Sequence, residues 1–310
     1  MAFLKGPRIG NVINVATPVK FLSSAQFINA NPWGTSWFVD GTDGSDSYDG
    51  LSTSGSKATV DAAVQLAGVG DVVYIRPKAY VVGTGMARYT ELITVDLAQS
   101  NLSIVGVNYP NNNEFGVRLA WTTTAAYVLD CSAPALHLEN VHFFSDGATG
   151  SLILRNNGAT NTQRNDGCTI YGCNFKGGTA GVTIEGGQAT RIIDSVFLHS
   201  AGTLTIATSS VSGYGQQIRG CSFLSNNGVL PTLQYLNASG AHVYNLWVDG
   251  CYFGIIPTAA KFIILGGTLC DGLISNCFFN DADVHVTTDL TLGGTNMRVA
   301  GCWDWAGIVV

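Results

Sequence analysis

One six-residue pattern recurs along the chain and limits the possible folds more than any other feature. It consists of an apolar residue, a variable residue, a small or polar residue, a cysteine, a variable residue and an aromatic residue. Copies with cysteine begin at Ile170, Ile218, Val248, Ile274 and, in part, Val299. Three related copies with valine begin at Ile104, Leu138 and Ile193. The central cysteine or valine therefore lies at positions 107, 141, 173, 196, 221, 251, 277 and 302, with 23 to 34 residues between neighbours.

This spacing predicts a parallel β-helix. The segments are short, β-branched and rich in glycine and asparagine, unlike the paired helices of an α-solenoid. In a β-helix, equivalent positions of successive coils stack about 4.8 Å apart. The central cysteine or valine and the aromatic residue two positions later share one face of the strand, which we expect to line the core. The sequence therefore predicts an all-β chain of about eight to nine coils. Its cysteines should be reduced, because parallel Cβ atoms about 4.8 Å apart exceed the usual disulfide separation of about 3.8 Å.

The amino-terminal third has a different pattern. Val60, Ala63, Val64 and Ala67 share one face of a helix that we predict over residues 57–67. Such a helix would cover the open end of a stack of strands. We therefore predict three segments: an extended arm over residues 1–35, a cap over 36–70 with a strand, an Asp/Gly-rich loop and the helix, and a β-helix over 71–310.

The cap carries a resemblance to a known group of proteins. Trp37-Phe-Val-Asp-Gly, the Ala-rich helix, Gly70-Asp-Val-Val-Tyr-Ile and Tyr80 resemble the opening of the pectate-lyase-like right-handed parallel β-helix superfamily. The resemblance covers residues 37 to about 310 and implies a right-handed parallel β-helix. That superfamily includes polysaccharide lyases, glycosidases and spike-like proteins of bacteriophage particles, and the chain looks most like the phage structural and spike proteins. It departs from the family at Pro77-Lys-Ala-Tyr80, where members often have Pro-Gly-Thr-Tyr.

Catalytic candidates are few. If the repeats are aligned, Asp194, Arg219 and Asp249 follow the first apolar position of successive copies and face outward. Asp194 and Asp249 would then lie about 9.6 Å apart, near the upper limit of about 9.5 Å for the carboxylates of an inverting glycosidase. Arg219 between them would keep both acids ionised, whereas a general acid needs a raised pKa. We interpret the three as a surface ion-pair ladder, and we expect His137 and His142 to lie on the surface.

A metal site has one candidate segment. Asp40, Asp43, Asp46 and Asp49 could offer oxygen ligands to Ca²⁺. The EF-hand order is absent, and a run of Asp, Ser and Gly also suits solvated turns. We interpret the segment as turns and predict no metal or cofactor.

Charge separates the arm from the rest. The first 39 residues have a net charge of +3, whereas the remainder has 12 basic and 21 acidic residues, a net charge of −9. The acidic body disfavours nucleic acid as a partner. The sequence contains no apolar run long enough for a membrane span. We also expect no signal peptide, since Lys5 and Pro7 interrupt the apolar start, and we expect synthesis in a host cytoplasm.

The arm is both apolar and cationic, which suggests docking onto a partner. The residues that we expect to make these contacts are Phe3, Lys5, Arg8, Ile9, Val12, Lys20 and Phe21. An arm that folds back along its own rod is the alternative.

Two functions are consistent with these features. The first is a non-enzymatic structural protein of a virus particle, a capsid decoration, cement or spike-like protein in the virion. It would form a homotrimer and dock through its arm onto another virion component such as a capsid or tail protein. The alternative is a tailspike-type protein that binds a host glycan or cleaves it as a lyase or glycosidase, with Trp247 and Tyr252 as sugar contacts.

Overall fold

The structure is a computed structural model. It describes residues 34–81, 85–107, 116–121, 127–145, 150–155, 165–177, 180–198, 204–207, 213–224, 236–237, 243–254, 263–264, 270–280, 290–291 and 296–304. The expected docking residues of the arm, from Phe3 to Phe21, lie outside these ranges.

The described chain consists mainly of short strands. The first half contains β1 (Ser36–Asp40), β2 (Val72–Arg76), β3 (Tyr80–Val81), β4 (Gly85–Met86), β5 (Tyr89–Thr90), β6 (Ile93–Val95), β7 (Ser103–Gly106), β8 (Val117–Ala120), β9 (Tyr127–Cys131), β10 (His137–Glu139), β11 (Val141–Phe144), β12 (Gly150–Leu154), β13 (Thr169–Tyr171), β14 (Asn174–Lys176) and β15 (Ala180–Glu185). The second half contains β16 (Gly187–Gln188), β17 (Arg191–Ile193), β18 (Val196–Leu198), β19 (Leu204–Ala207), β20 (Gly213–Tyr214), β21 (Gln217–Arg219), β22 (Ser222–Leu224), β23 (Leu236–Asn237), β24 (Val243–Asp249), β25 (Tyr252–Phe253), β26 (Ile263–Ile264), β27 (Cys270–Ser275), β28 (Phe278–Phe279), β29 (Leu290–Thr291), β30 (Met297–Ala300) and β31 (Trp303–Asp304).

Three long parallel sheets form the walls of a β-helix. The first sheet has 12 strands and follows the order β1-β2-β7-β10-β13-β17-β21-β24, with β27 and β30 continuing from β24 and with β16 and β20 beside it. The second sheet has nine strands, from β5 and β8 to β31, and the third has eight, from β6 to β29. Each coil passes through the sheets in this order, as β10, β11 and β12 do. The strand pairs of the three sheets are parallel, so the predicted all-β parallel β-helix is confirmed.

A ladder of small side chains fills the core beside the second sheet. The strand register aligns Val117, Val141, Cys173, Ser195, Cys221, Cys251, Cys277 and Cys302. All eight cysteines are buried free thiols, as expected. The sequence had also placed Val107 and Val196 in this ladder, and both predictions were wrong. Val107 is 44% exposed and Val117, where β8 begins, takes its place. Val196 lies opposite the outward Asn174, so the inward neighbour of Cys173 is Ser195.

Left-handed residues form the corners on both sides of the first sheet. The row before the sheet contains Gly70, Asn101, Ala135, Gly167, Ala189, Gly215 and Asn245, and the row after it contains Asn140, Gly172, Asp194, Gly220, Gly250, Asn276 and Gly301. Their φ angles lie between 48° and 78°. Such angles bend the chain sharply at one residue and favour glycine, asparagine and aspartate. They also restrict the strand between two corners to about three residues, as in Gln217–Arg219.

One α-helix closes the first coil in the described part of the chain. Helix α1 (Val60–Leu66) lies within the predicted 57–67 segment and packs on β1, β2 and β6. Its buried face contains Val60, Ala63 and Val64. Thr59 caps it by accepting a hydrogen bond from the Ala62 N–H, and the Glu91 carboxylate accepts the N–H groups of residues 60 and 61. Among the described residues, no helix is long and apolar enough to cross a membrane.

Candidate functional site

The outer face of the third sheet carries a cluster of polar side chains on three consecutive coils. Asp130 lies in β9, Arg155 directly follows β12, and Glu185 ends β15. The register aligns Cys131, Leu154 and Ile184, which are buried in the core. Because side chains alternate along a strand, the charged residues beside these three point outward.

Arg155 holds the cluster together. Its Nε lies 2.7 Å and 2.8 Å from the two carboxylate oxygens of Asp130, and its Nη1 lies 3.9 Å from Oε1 of Glu185. On the same face, the hydroxyls of Tyr127 and Thr183 are 3.2 Å apart. The hydrogen bond with Asp130 raises the pKa of Arg155 above its ordinary value, against the opposing effect of burial. The side chains of Arg155, Asp130 and Glu185 are 36%, 35% and 31% exposed, so each remains accessible to a ligand.

This arrangement suits recognition better than proton transfer. A general acid must present a free proton to its substrate, whereas both oxygens of Asp130 are bound by Nε of Arg155. The face instead presents planar N–H donors and carboxylate acceptors, beside the half-buried hydroxyl of Tyr127, which can act as either; its neighbour Thr183 is buried. Such a set can both donate hydrogen bonds to a polar ligand and accept them from it.

Sequence reasoning missed this cluster because its members follow no shared motif. The available signal was weak: an alternating or apolar segment ends near each charged residue, in Tyr127–Cys131, Gly150–Leu154 and Ala180–Glu185. The segments that separate these strands from the preceding ones differ in length, so the alignment of the strands could not be predicted from the spacing.

The three residues that the sequence placed in one outward row are only partly together. Arg219 aligns with Ile193 on one side and with Asp249 on the other. Asp194 instead occupies a corner with φ 48°, one residue out of the expected register, so the expectation that it shares the row was wrong. The two acids therefore do not flank Arg219 as an inverting pair would.

The Arg219–Asp249 half of the expected ion-pair ladder is present on the first sheet. Nε of Arg219 lies 3.8 Å from Oδ2 of Asp249, and its guanidinium lies 4.6 Å from the centre of a Trp247 ring. Oδ1 of Asp249 also accepts hydrogen bonds from the side chains of Ser275 and Asn276, at 2.8 Å and 2.9 Å. These contacts fix the position of the Asp249 carboxylate within the wall of the β-helix.

The four aspartates of the cap loop do not converge on a common point. Asp40 accepts two backbone N–H groups of its own turn and pairs with Arg76, near which Asp43 also lies. Asp46 accepts three hydrogen bonds from residues 58 and 59, and Asp49 accepts the N–H of residue 51. Across the described ranges, no group of three or more His, Cys, Asp or Glu residues has the geometry of a metal site.

Lys57 supplies the positive charge inside that loop. Its ammonium donates to the backbone carbonyls of Asp46, at 3.0 Å, and of Tyr48. The residue is buried, with 6% of its surface exposed. A protein cation thus occupies the oxygen-rich interior of the loop.

Two histidines that we expected on the surface are buried. His137 and His142 are each 6% exposed, and Glu139 is 0% exposed. Nε2 of His137 lies 3.1 Å from Oε2 of Glu139. Burial, and then the charge of Arg118, lower the pKa of His142 to about 4. Alternation along a strand predicts the direction in which a side chain points. It does not predict the exposed fraction of that side chain, because an outward side chain can be covered by its neighbours.

Comparisons with known proteins identify the class of fold. Two solved structures of a pectin methylesterase from Aspergillus niger are similar to this chain. The penultimately deglycosylated form has a TM-score of 0.58 at 11% identity, over 89% of this chain and 87% of that one. The deglycosylated form has a TM-score of 0.52 at 12% identity, over 87% and 82%. No family model and no curated protein matches the sequence.

These likenesses concern the fold. They agree with the parallel β-helix that the repeat predicted. The resemblance to phage proteins finds no support in them.

Proposed function

We propose that this protein binds a polysaccharide along the outer face of its third sheet, at Asp130, Arg155 and Glu185. The observation that carries this proposal is the ion-paired Arg155 and its two carboxylate neighbours on consecutive coils. Their side chains are 31% to 36% exposed and lie close enough together to contact one ligand.

The geometry of the rod supports an extended ligand. Successive coils rise by about 4.8 Å, so equivalent side chains repeat along one line. Asp130 orients the Arg155 guanidinium through both of its oxygens, which lowers the entropy lost when the remaining N–H groups bind a ligand. The hydroxyls of Tyr127 and Thr183 extend the polar array on the same face.

The similar solved structures add support of a general kind. They are named as pectin methylesterases, and pectin is a polysaccharide. At 11% and 12% identity, the argument for this chain depends on its own residues. Because both oxygens of Asp130 are bound by Nε of Arg155, we propose binding as the activity of the site.

Affinity electrophoresis tests the proposal with three probes: highly methyl-esterified pectin, de-esterified pectin and neutral dextran. We expect at least one probe to retard the protein, and Arg155→Gln to weaken that binding by about tenfold or more, as loss of a charge-assisted hydrogen bond would. Arg191→Gln, which removes an exposed cation of the first sheet, is the matched control. Equal retardation of the wild type and Arg155→Gln, or none with any probe, would contradict the proposal.

The same samples separate binding from cleavage. Release of reducing ends or methanol during incubation, abolished in Arg155→Gln, would favour the depolymerase or esterase form of the polysaccharide hypothesis. Intact polymer together with Arg155-dependent binding would support the proposal as stated.

The virion hypothesis, with its homotrimer and its docking arm, remains a prediction of the sequence. Deletion of residues 1–35 distinguishes it from glycan binding. The structural hypothesis predicts a folded rod that no longer joins its partner. Our proposal predicts that the truncated rod binds polysaccharide as well as the full chain does.

A further inference from the structure

A second cluster of charges lies on the outer face of the second sheet, around the ring of Phe144. The guanidinium carbons of Arg88 and Arg118 lie 4.3 Å and 5.3 Å from the ring centre, and the Lys176 ammonium lies 5.9 Å from it. Three of the 15 lysines and arginines of the chain therefore converge on one aromatic ring. We propose that this cluster is a binding site for an oxyanion: a carboxylate, sulfate or phosphate group.

The strand register brings the cations together. Tyr89 pairs with Leu119, which places Arg88 and Arg118 side by side on neighbouring strands. Phe144 pairs with Lys176 in the adjacent outward row. The positions come from four consecutive coils, so the cluster is a product of stacking.

Electrostatics favours an anion at this position. Like charges side by side on neighbouring strands repel each other, and a cation–π contact offsets only part of that cost. The protein has a net charge of −6, so the cluster opposes the overall charge of the chain. An oxyanion near the cations would lower the repulsion between them and accept hydrogen bonds from N–H donors beyond those that serve their protein partners.

The donors suit such a ligand. Among the ion pairs between described residues, none includes Lys176. A guanidinium has five N–H donors, so Arg88 and Arg118 can each serve a ligand in addition to a protein partner. All three side chains are half-buried, which strengthens a charge-assisted hydrogen bond relative to water.

The neighbouring histidine reports the same field. His142 aligns with Arg118 in the outward row, and its lowered pKa reflects burial first and the charge of Arg118 second. The charge of Arg118 thus adds to the effect of burial, in the direction expected of a nearby positive charge.

Calorimetric titration with inorganic sulfate and with inorganic phosphate at pH 7 tests the site. We expect saturable binding of one anion per chain. Lys176→Gln and Arg118→Gln should each weaken it by about tenfold or more. Arg298→Gln, which removes an exposed cation of β30, should bind as the wild type does. Thermal unfolding of each variant shows whether it is folded, and Lys176→Gln keeps the test valid if Arg118→Gln fails to fold.

A second titration identifies the source of the anion. Binding of de-esterified pectin or of a sulfated polysaccharide that is tighter than inorganic sulfate and is lost in Lys176→Gln would assign the site to an acidic polymer. Response to the inorganic ions alone would assign it to a free oxyanion. The inference is wrong if neither inorganic ions nor polymers show saturable binding, or if Lys176→Gln binds as tightly as the wild type.

The proposals for the anion site and for the third-sheet site can be refuted independently of each other. Arg155→Gln should retain full anion binding, because Arg155 is on another sheet. Lys176→Gln should retain the binding of a neutral glycan, if such a glycan is the ligand at Arg155.

Discussion

The phenylalanine ladder of the second sheet allows a quantitative test of the stacked register. Phe143, Phe175, Phe197, Phe223, Phe253 and Phe279 are each 0% exposed. Successive ring centres are 4.8 to 5.2 Å apart, with interplanar angles of 2° to 21°. Neighbouring rings therefore stack, and the loss of one ring should depend on how many neighbours it has.

Phe197 and Phe143 differ in this respect. Phe197 stacks on Phe175 and on Phe223, whereas Phe143 stacks on Phe175 and aligns with Leu119 on its other side. Substitution by leucine keeps an apolar side chain and removes the ring contacts. Since an aromatic pair contributes about 0.5–1.5 kcal/mol, Phe197→Leu should lose about 1–3 kcal/mol through stacking and Phe143→Leu about half as much. Phe197→Ala also leaves a cavity and should cost about 3–5 kcal/mol.

Equilibrium unfolding in guanidinium chloride measures these differences, and a double-mutant cycle isolates the stacking contribution. Phe175→Leu and Phe197→Leu should couple by about 0.5–1.5 kcal/mol, because their rings are in contact. Phe143→Leu and Phe223→Leu are three coils apart and should be additive. Equal costs for Phe143→Leu and Phe197→Leu, together with no coupling in the adjacent pair, would refute the stacked register.

Three further outcomes follow from buried or fixed polar groups. The hydrogen bond with the Cys251 thiol, together with burial, raises the pKa of Cys277 to about 12. The Cys277 thiol should therefore resist a thiol reagent at pH 8 until the protein unfolds. Fast labelling of the native protein would contradict this prediction. Because the pKa of His142 is lowered to about 4 from 6.5, protonation favours the unfolded chain. Stability should therefore fall by about 3 kcal/mol as the pH drops from about 6.5 to 4, and His142→Gln should abolish that part of the pH dependence in a series of denaturation curves. Asp46→Ala removes the acceptor of three hydrogen bonds before helix α1 and should destabilise the cap by about 1–3 kcal/mol in thermal unfolding, whereas the exposed Asp43→Ala should have little effect.

The sequence alone determined the parallel β-helix and much of its core. Its repeat every two to three dozen residues identified Cys173, Cys221, Cys251 and Cys277 as stacked interior residues, and the structure confirms that they are buried. Helical periodicity also located helix α1, and the alignment of the repeats predicted the Arg219–Asp249 pair. These features were readable because strand alternation and helical periodicity depend only on near neighbours along the chain.

Only the tertiary structure decided the register between coils. It replaced Val107 by Val117 in the ladder, moved Asp194 from the outward row to a corner, and brought Arg155 between Asp130 and Glu185. It likewise gathered three cations around Phe144. The physical reason is that corners and loops of variable length separate the strands, and a shift of one residue turns a side chain from the core to the surface. The local sequence therefore determines which side chains of a strand face the core. Which side chains become neighbours on the outer surface depends on how the coils stack.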